Sequence, residues 1–490
     1  MNAAAYLLAT GQDGATALEC GAERLTYGEL RDAVARAAGA WRARGLGQGE
    51  RVLVFAPDGI AWVTAYLGAI WAGGVAVGLN SRLFERELSV VLSESGARCI
   101  WCNESSRALL QRLLANIADP PQLVIDTEWI DALQAAAPVP AAEMADDAMA
   151  LWVYTSGTTG LPKAVIHAQR TVNACADFAR EVLGLGAQDR IYASSKMFFA
   201  YALGNSLCAG LRLGATVILD SEWPTAEGVA EVVERHRPTA LFSVPTLYLK
   251  MLQAGVASRL AAAGVRCYAS AGEALPAAVR RGWREATGVA PVSGYGASET
   301  VVLVFYCDDD SARLKPSPRL QYRMRDGSDG ATPQRLWLRH PSIALGYWRR
   351  SEAERDSFDD GWFSPGDLFR RRDDGTLELC GRDDDMLKIS GQWVSVVDVE
   401  QALLGASAGC VEGLAAVGFD NAEGLVSIAL FAVAARGQES QARERIAAGI
   451  AALPKLKRPR LVKWVSELPL TATGKLQRRK LKDLYLGRPA

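Results

Sequence analysis

Residues 154–164 read Tyr-Thr-Ser-Gly-Thr-Thr-Gly-Leu-Pro-Lys-Ala and begin at the last residue of the apolar run Ala150–Tyr154. Glycines allow backbone N–H groups to turn inward around an anion, the hydroxyls add donors, and Lys163 adds a positive charge. The stretch therefore predicts a polyphosphate-binding loop at the end of a strand, the alternative being a glycine-rich surface turn. It is not an ordinary P-loop, in which the lysine directly follows a glycine, because Leu161-Pro162 intervenes here.

Short strands and helices alternate on both sides of this loop. Thr26-Tyr27-Gly28-Glu29 has the form of a capping box, and apolar residues then recur at helical spacing as far as Gly45. The next predicted elements are a strand over Arg51–Phe55, a helix over Asp58–Ala72 and a strand over Val75–Leu79. This alternation predicts an α/β fold with mostly parallel, helix-covered sheets, in which ligands bind at the carboxyl ends of strands.

The composition excludes several classes of protein. A chain of 490 residues with 49% hydrophobic content can form two to four structural units with sizeable cores. The 54 basic and 55 acidic residues nearly balance, so no general affinity for nucleic acid or acidic membranes is indicated.

The cysteines and the terminus indicate a reducing compartment. The nine cysteines are scattered, and an odd number without a bridge-like framework fits a reducing compartment. Cys99-Ile100-Trp101-Cys102 lacks a second pair that would complete a zinc site, so Arg98–Cys102 is predicted to be a buried strand and not a metal or redox site. The uncharged stretch Gly59–Ser81 is interrupted by Gly73-Gly74, which favours a buried helix and a strand over a membrane span. Because the N-terminus also lacks a basic segment typical of a signal peptide, we expect a soluble cytoplasmic protein.

The three consecutive carboxylates in Gly381–Asp385 mark the best candidate domain boundary, because such a run resists burial. We therefore predict an N-terminal domain over 1–382 and a small α+β domain over 383–490. The end of the chain is basic, and its cations form either a solvated surface or a phosphate-facing one. These cations are Lys455, Lys457, Arg458, Arg460, Lys463, Lys475, Arg478, Arg479 and Lys480.

Three further segments accompany the loop: Gly294–Thr300 (Gly-Tyr-Gly-Ala-Ser-Glu-Thr), Gly361–Leu368 (Gly-Trp-Phe-Ser-Pro-Gly-Asp-Leu) and Thr471–Lys475 (Thr-Ala-Thr-Gly-Lys). In this order and at these separations the four segments closely resemble the acyl-adenylate-forming superfamily, which includes acyl-CoA synthetases, nonribosomal-peptide adenylation domains and firefly luciferase. The resemblance runs from Leu25 through Arg478. It implies that a carboxylic acid reacts with ATP to give an acyl-AMP and pyrophosphate, and that the acyl group then passes to a thiol.

The resemblance also implies a role for each motif residue. Lys475 would bridge the substrate carboxylate and the α-phosphate, Ser298 would contact the α-phosphate, and Glu299 would hold Mg²⁺. The nucleotide would be bound by Thr155, Ser156, Gly157, Thr158, Thr159, Gly160, Lys163, Glu273, Tyr295, Asp367 and Arg382. Structural alternatives are a core position for Tyr295, a turn position for Asp367 and a helix N-terminal carboxylate for Glu299.

The small C-terminal domain would move between the two half-reactions. By the same resemblance it would rotate about the hinge residue Asp384, and Ser390 and Gly391 would then line the path of the thiol. The acceptor would be coenzyme A as co-substrate or the phosphopantetheine arm of a carrier protein.

The sequences of Ser195–Asn205 and Lys388–Ser395 resemble those of benzoate-type aryl-CoA ligases. An α-amino acid is disfavoured, because no carboxylate in the first segment could pair with a buried ammonium. An aromatic ring would instead bind among Phe199, Ala200, Tyr201, Ala271, Gly272, Gly294, Gly296 and Val301. The alternative is that Phe199 and Tyr201 are helix-packing aromatics.

Two departures from the family pattern accompany the resemblance. The segment 310–335 is shorter than usual, and Val396 stands where proline is usual.

Three alternative functions stay open: a stand-alone enzyme that loads a carrier protein, a non-catalytic binder of acyl groups or nucleotides, and an adenylating oxygenase of the luciferase kind. The protein is expected to be a monomer or homodimer.

Overall fold

The computed structural model describes residues 1–156, 162–324, 332–350, 356–390, 392–407, 409–421, 424–470 and 476–485. These residues form two compact units. The first takes the described residues up to Tyr322 together with those of Leu338–Phe363, and the second takes those of Arg323–Trp337 and those from Ser364 onward. The predicted division between residues 382 and 383 stays a prediction, since these units follow the packing of the backbone and not a motion.

The strands are β1 Thr16–Cys20, β2 Glu23–Thr26, β3 Arg51–Phe55, β4 Val75–Gly78, β5 Cys99–Cys102, β6 Gln122–Ile125, β7 Met149–Ser156, β8 Pro162–Ala168, β9 Arg190–Ala193, β10 Thr216–Leu219, β11 Ala240–Ser243, β12 Cys267–Ser270, β13 Val292–Tyr295, β14 Phe305–Cys307, β15 Lys315–Pro316, β16 Gln321–Met324, β17 Gln334–Arg339, β18 Gly346–Tyr347, β19 Phe358–Asp359, β20 Trp362–Phe363, β21 Asp367–Arg371, β22 Leu377–Arg382, β23 Met386–Ile389, β24 Gln392–Ser395, β25 Val411–Asp420, β26 Val426–Ala434 and β27 Leu461–Trp464.

The α-helices are α1 Ala3–Leu8, α2 Tyr27–Ala43, α3 Ile60–Trp71, α4 Glu85–Glu94, α5 Arg107–Leu114, α6 Asp126–Ala135, α7 Ala200–Ala202, α8 Ala209–Leu213, α9 Ala226–His236, α10 Pro245–Gln253, α11 Ala257–Ala262, α12 Ala277–Thr287, α13 Val396–Ser407, α14 Glu439–Ala452 and α15 Arg478–Tyr485. Phe178–Val182 and Leu203–Cys208 are π-helical, and Glu104–Ser106, Gln169–Ala174, Asp383–Asp385 and Lys455–Lys457 are 3₁₀-helical.

Two large mixed sheets dominate the described part of the first unit. One has the order β15-β14-β13-β12-β11-β9-β10-β1-β2, and its strands from β13 to β1 are parallel to their neighbours. The other has the order β18-β8-β7-β4-β3-β5-β6, with parallel pairing from β7 to β6. Strands with both faces covered bury alternate side chains in different cores, and β9 does this: Ile191 joins a core shared with α1–α3, whereas Tyr192 joins one formed with α9–α12.

The second unit is smaller and largely antiparallel. Strands β21 and β22 pair antiparallel, as do β23 and β24, and the longest pair is β25 with β26. Strand β27 adds to β26 in parallel. One face of the β25–β26–β27 sheet packs against α13 and α14 around Val399, Leu403, Leu430 and Ile446, all buried. The expected small α+β arrangement is therefore present here.

Local elements follow the sequence closely in the first unit. The Thr26 hydroxyl accepts the Glu29 N–H at 3.3 Å and the Glu29 carboxylate accepts the Thr26 N–H at 2.8 Å, so the predicted capping box is confirmed. The predicted strand Arg51–Phe55 is confirmed as β3. Helix α3 begins at Ile60, two residues after the predicted Asp58, because the Asp58 carboxylate accepts the Met197 N–H at 3.0 and 3.2 Å instead of capping α3.

Strand β5 and helix α3 lie in the two segments for which a metal site and a membrane span, respectively, were the alternatives to buried elements. Cys99 and Cys102 are buried within β5, as predicted. Across the described ranges, no cluster of three or more His, Cys, Asp or Glu side chains is arranged to hold a metal ion. In the same ranges, no helix has the length and apolar character needed to cross a bilayer.

Candidate active site

The hairpin β7–β8 positions the residues that flank the predicted polyphosphate-binding loop. Thr155 lies directly opposite Lys163, and Ser156 lies opposite Pro162. Strand β7 is also parallel to β4, so the hairpin extends from the carboxyl edge of a parallel sheet, where ligands are expected. Gly157, Thr158, Thr159 and Gly160 lie outside the described residues, and their contact with phosphates stays a prediction.

Lys163 is brought next to Glu299, 136 positions later in the chain. Its Nζ lies 3.7 Å from the Glu299 carboxylate and 3.5 Å from the centroid of the Tyr347 ring. The Tyr347 hydroxyl donates to the same carboxylate oxygen at 2.8 Å. The side chains of Lys163 and Glu299 are 21% and 11% exposed, so both charges are partly desolvated and their fields act strongly on a bound anion or cation. We call these three residues the Lys163 cluster.

The Lys163 cluster has the donor set that a nucleotide with a divalent cation requires. A lysine ammonium is a mobile point charge suited to phosphate oxygens. A carboxylate held by a tyrosine hydroxyl presents a fixed oxygen ligand, of the kind that Mg²⁺ takes alongside phosphate oxygens. The residues therefore fit a magnesium–polyphosphate group.

The backbone of the Ser298-Glu299 segment is fixed from two sides. The His167 Nε2–H donates to the Ser298 carbonyl at 2.9 Å, and the Ala344 N–H donates to the Glu299 carbonyl at 2.8 Å. His167 is fully buried, and burial lowers the pKa of its ring to about 4. The ring is therefore neutral near pH 7, and its tautomer is set by the carbonyl that Nε2 faces.

The expected aromatic pocket is built on the segment after β9. Phe199 precedes the short helix α7, which contains Ala200 and Tyr201, and its ring lies 4.4 Å from that of Phe198. The Tyr201 hydroxyl donates to the Ala269 carbonyl at 3.0 Å. The Tyr201 hydroxyl is therefore engaged within the protein, by this carbonyl and by the backbone of Ser243.

The remaining expected pocket and nucleotide residues lie at the ends of β12 and β13. Ala271 and Gly272 follow β12, Gly294 and Tyr295 end β13, Gly296 is exposed beyond it, and Val301 is buried in the turn that follows. The exposed Glu273 accepts a hydrogen bond from the Thr246 hydroxyl at 3.1 Å. Their location at adjacent carboxyl ends agrees with the expected site, whereas their individual contacts with ligands stay predictions.

In the second unit, Asp367 and Arg382 face each other across β21 and β22. The Arg382 Nε lies 3.9 Å from the Asp367 carboxylate, a loose ion pair in which the arginine is 55% exposed. Asp384 lies in the 3₁₀ turn Asp383–Asp385, and Ser390, which follows β23, has a φ of 47°. Gly391 and Lys475 lie outside the described residues.

Three residues near these motifs were not predicted from the sequence. Tyr347 contacts both charges of the Lys163 cluster, His167 supports Ser298, and Asn205 bonds to the turn after Glu299. No spacing pattern joins positions so distant in the chain. The single available signal was rarity, because the chain contains only three histidines and one of them follows the loop within β8.

Comparisons with known proteins agree with this geometry. The profile of a family described as AMP-binding enzyme matches residues 8–348. A 3-hydroxybenzoate–CoA ligase of Aromatoleum sp. (strain CIB) is 40% identical, with 97% of this chain and 95% of that protein covered. A benzoate–CoA ligase of Thauera aromatica is 34% identical, with 97% and 94% covered.

A solved structure shares the fold over its whole length. It is a benzoate CoA ligase from Burkholderia xenovorans LB400, with a TM-score of 0.86, 33% identity, and 98% of this chain and 99% of that chain covered. The predicted α/β fold with a small α+β part is thereby confirmed. The extent of these matches, together with the Lys163 cluster at the edge of the parallel sheet, shows that the chain belongs to the AMP-binding family of adenylate-forming enzymes.

Proposed function

We propose that the protein is an AMP-forming aryl-CoA ligase that activates an aromatic carboxylic acid of the benzoate type. In the first half-reaction the acid and ATP give an aroyl-AMP and pyrophosphate; in the second the aroyl-AMP and coenzyme A give the thioester and AMP. The observation that carries the proposal is full-length similarity to hydroxybenzoate- and benzoate–CoA ligases at 34–40% identity. The predicted ring-binding residues, none of which carries a charge, support the same substrate class.

Adenylation requires two anions to approach each other. A carboxylate oxygen attacks the α-phosphorus as the bond to the bridging oxygen of pyrophosphate breaks, so negative charge must be stabilised on both sides. Lys163, Thr155, Ser156 and the loop Gly157–Gly160 would hold the outer phosphates. Ser298 would contact the α-phosphate, and Lys475 would bridge it to the attacking carboxylate.

Glu299 is the residue that would hold Mg²⁺, because the Tyr347 hydroxyl and the Ser298-Glu299 backbone contacts fix its carboxylate beside Lys163. When bound, Mg²⁺ supplies positive charge to the phosphate oxygens and to the departing pyrophosphate. Tyr295 and Glu273 would bind the adenosine part, Asp367 would accept hydrogen bonds from the ribose hydroxyls, and Arg382 would contact the ribose or phosphates.

The aromatic acid would lie among Phe199, Ala200, Tyr201, Ala271, Gly272, Gly294, Gly296 and Val301. None of these side chains is charged, which suits a ring and not an α-ammonium group. The Tyr201 hydroxyl donates to the Ala269 carbonyl and is hydrogen-bonded to the Ser243 backbone, so its contribution to the pocket would be that of its apolar ring.

The second half-reaction would use the other end of the chain. A rotation about Asp384 would bring Ser390 and Gly391 to the thiol, which attacks the aroyl carbonyl and displaces AMP. Coenzyme A is the proposed acceptor, as the names of the relatives indicate for those proteins. A carrier-protein thiol is the alternative acceptor. The cytoplasmic location and a monomeric or homodimeric state remain part of the proposal.

Isotope exchange between pyrophosphate and ATP tests the adenylation step, with benzoate, hydroxybenzoates, cinnamates, medium-chain fatty acids and amino acids compared side by side. The proposal predicts exchange with the benzoates that exceeds exchange with fatty and amino acids. Exchange that is strongest with fatty or amino acids would reject the aromatic pocket. No exchange with any acid would favour a non-catalytic binder.

A further inference from the structure

The π-helical segment Leu203–Cys208 carries a buried amide to which the proposed reaction assigns no role. Asn205 is only 2% exposed. Its Nδ2 donates to the carbonyls of Tyr201 at 3.0 Å and Val301 at 3.3 Å, and its Oδ1 accepts the Leu303 N–H at 3.2 Å. One side chain thus joins the helix that begins the aromatic pocket to the turn that follows Glu299.

The turn needs this support because Val301 has an unfavourable backbone conformation. Its φ is +58°, in the left-handed region, which a β-branched residue rarely adopts. Such a conformation costs on the order of 1–3 kcal/mol and persists only where the surroundings enforce it. The Asn205 amide bonds to the Val301 carbonyl and to the Leu303 N–H, and therefore restrains the chain immediately after the strained residue.

Gly204 shows how closely the two segments fit. A Cβ at this position would lie 2.3 Å from the Val301 carbonyl oxygen and 2.6 Å from its Cγ1. Only glycine allows this approach of one backbone to another. A displacement of the π-helical segment is therefore passed directly to the Val301 peptide, two residues from Glu299. Local π-helical turns of this kind are frequent at functional sites.

Building on the proposed aryl-CoA ligase function, we propose that Asn205 is a positioning residue that couples the aromatic pocket to the Ser298-Glu299 segment. It would hold the segment in the arrangement that adenylation needs while the ring occupies the pocket. It would not contact the acid or the nucleotide. Its loss should therefore reduce the rate of adenylation more than the binding of the acid.

The substitution Asn205→Asp tests this role with little change in shape. The aspartate keeps an acceptor for the Leu303 N–H, but it offers the carbonyls of Tyr201 and Val301 at most one O–H donor, from its protonated form, in place of the two N–H donors of the amide. Because a displacement of about 1 Å at a reacting group can cost 10²-fold in rate, we expect kcat for pyrophosphate exchange to fall about 10- to 100-fold. The KM for the acid should change less than about 3-fold, and the Mg²⁺ concentration for half-maximal rate should rise.

A matched control is available at Asn2, another buried amide. Its Nδ2 lies 2.9–3.3 Å from the carbonyls of Ile70, Trp71 and Ala142, and its Oδ1 accepts the Ala5 N–H at 3.3 Å. Asn2→Asp therefore removes amide donors from carbonyls in the same way, away from the motifs. It should lower the melting temperature and leave kcat within about 3-fold of the wild type.

A double-mutant comparison with Val301→Gly distinguishes a positioning role of Asn205 from a general role in packing. In Val301→Gly the left-handed conformation carries little strain, so the turn depends less on Asn205. Adding Asn205→Asp to that background should reduce kcat less than it does in the wild type, which is a coupling between the two positions. If Asn205→Asp does not fold, the smaller change Asn205→Ser, which keeps a donor and an acceptor, is measured in its place.

The outcomes distinguish this inference from the proposed function. Suppose that the wild type adenylates benzoates. If Asn205→Asp then lowers kcat no more than Asn2→Asp does, or changes only KM, the positioning role alone is overturned. A wild type that adenylates another class of acid overturns the aromatic substrate, and the Asn205 comparison is then made with that acid. A wild type that adenylates no acid contradicts both.

Discussion

Hydrogen bonds and charge contacts between individual residues of the first unit fix the charged and polar side chains of the candidate site. In the Lys163 cluster a lysine, a glutamate and a tyrosine restrain one another, and His167 supports the neighbouring backbone through one hydrogen bond. Preorganised groups of this kind stabilise a transition state because they need no further reorganisation. Small changes at these residues should therefore appear in the rate more than in the fold.

Tyr347→Phe removes the hydroxyl that holds Glu299 but keeps the ring beside Lys163. We expect kcat for adenylation to fall about 10- to 150-fold with an increased Mg²⁺ requirement, since a lost hydrogen bond to a charged group costs about 1.5–3 kcal/mol. Pyrophosphate exchange at varied Mg²⁺ concentration measures both effects.

The control for this change is Tyr268→Phe, which removes a buried hydroxyl that donates to the Val265 carbonyl at 3.2 Å in the core with α9–α12. It should leave kcat and the Mg²⁺ dependence unaltered. Equal kinetic effects of the two substitutions would contradict a special role for Tyr347.

Two buried groups of the first unit should respond to pH in opposite directions. Burial lowers the pKa of His340 from 6.5 to about 4. Because the unfolded chain then binds a proton at a higher pH than the folded chain does, stability is lost as the pH falls through this range. Burial raises the pKa of Asp58 from 3.8 to about 7, so its contribution is largest at low pH and is lost as pH rises through 7.

Denaturant unfolding at several values between pH 4.5 and 7.5 checks both signs. The free energy of unfolding of the wild type relative to His340→Gln should decrease as the pH falls. Relative to Asp58→Asn it should increase as the pH falls. Differences that do not vary with pH, or that share one sign, would contradict these assignments.

At the scale of elements, strands fix the ends of the connecting segments on which most of the site residues lie. The hairpin β7–β8 sets Thr155 opposite Lys163, and helix α2 begins at the capping box of Thr26 and Glu29. Such caps satisfy N–H groups that would otherwise lack a partner at the first turn. They stabilise an element without contacting the site.

Thr26→Ala should therefore lower stability and spare catalysis. Loss of an N-cap hydroxyl costs about 1 kcal/mol, and we expect a decrease of this size in the free energy of unfolding of the first unit. Thr26→Ser retains the cap and serves as the control. A change in kcat for pyrophosphate exchange beyond about 2-fold, with stability unaltered, would show that α2 acts on the site in another way.

The sequence predicted the elements better than the contacts among them. The strand Arg51–Phe55 and the capping box were confirmed because they depend on local periodicity and spacing. Helix α3 begins later than predicted because Asp58 bonds to Met197, which is distant in the chain. The supporting contacts of Tyr347, His167 and Asn205 have the same long-range origin, so no local pattern could reveal them.

At the scale of the whole molecule, the motifs lie in two compact units. The described phosphate and ring-binding candidates belong to the first, and Asp367, Arg382, Asp384 and Ser390 belong to the second. The proposed reaction also needs Lys475, near the end of the chain. This distribution suits an enzyme whose two half-reactions use different residues.

Lys475→Ala should separate the half-reactions. Loss of the lysine that would bridge the carboxylate and the α-phosphate is expected to lower adenylation about 10²- to 10⁴-fold, or about 3 to 5 kcal/mol in activation free energy. Thioester formation from supplied aroyl-AMP should be nearly unchanged. Rapid-quench measurement of each half-reaction checks this, and an equal loss in both would contradict the role.

The most direct test of the aryl-CoA ligase assignment is product analysis with 3-hydroxybenzoate, ATP, Mg²⁺ and coenzyme A by chromatography and mass spectrometry. An aryl-CoA ligase is expected to give 3-hydroxybenzoyl-CoA, AMP and pyrophosphate in equal amounts. Formation of ADP and phosphate instead, or thioester formation with fatty acids but with no benzoate, would contradict the assignment.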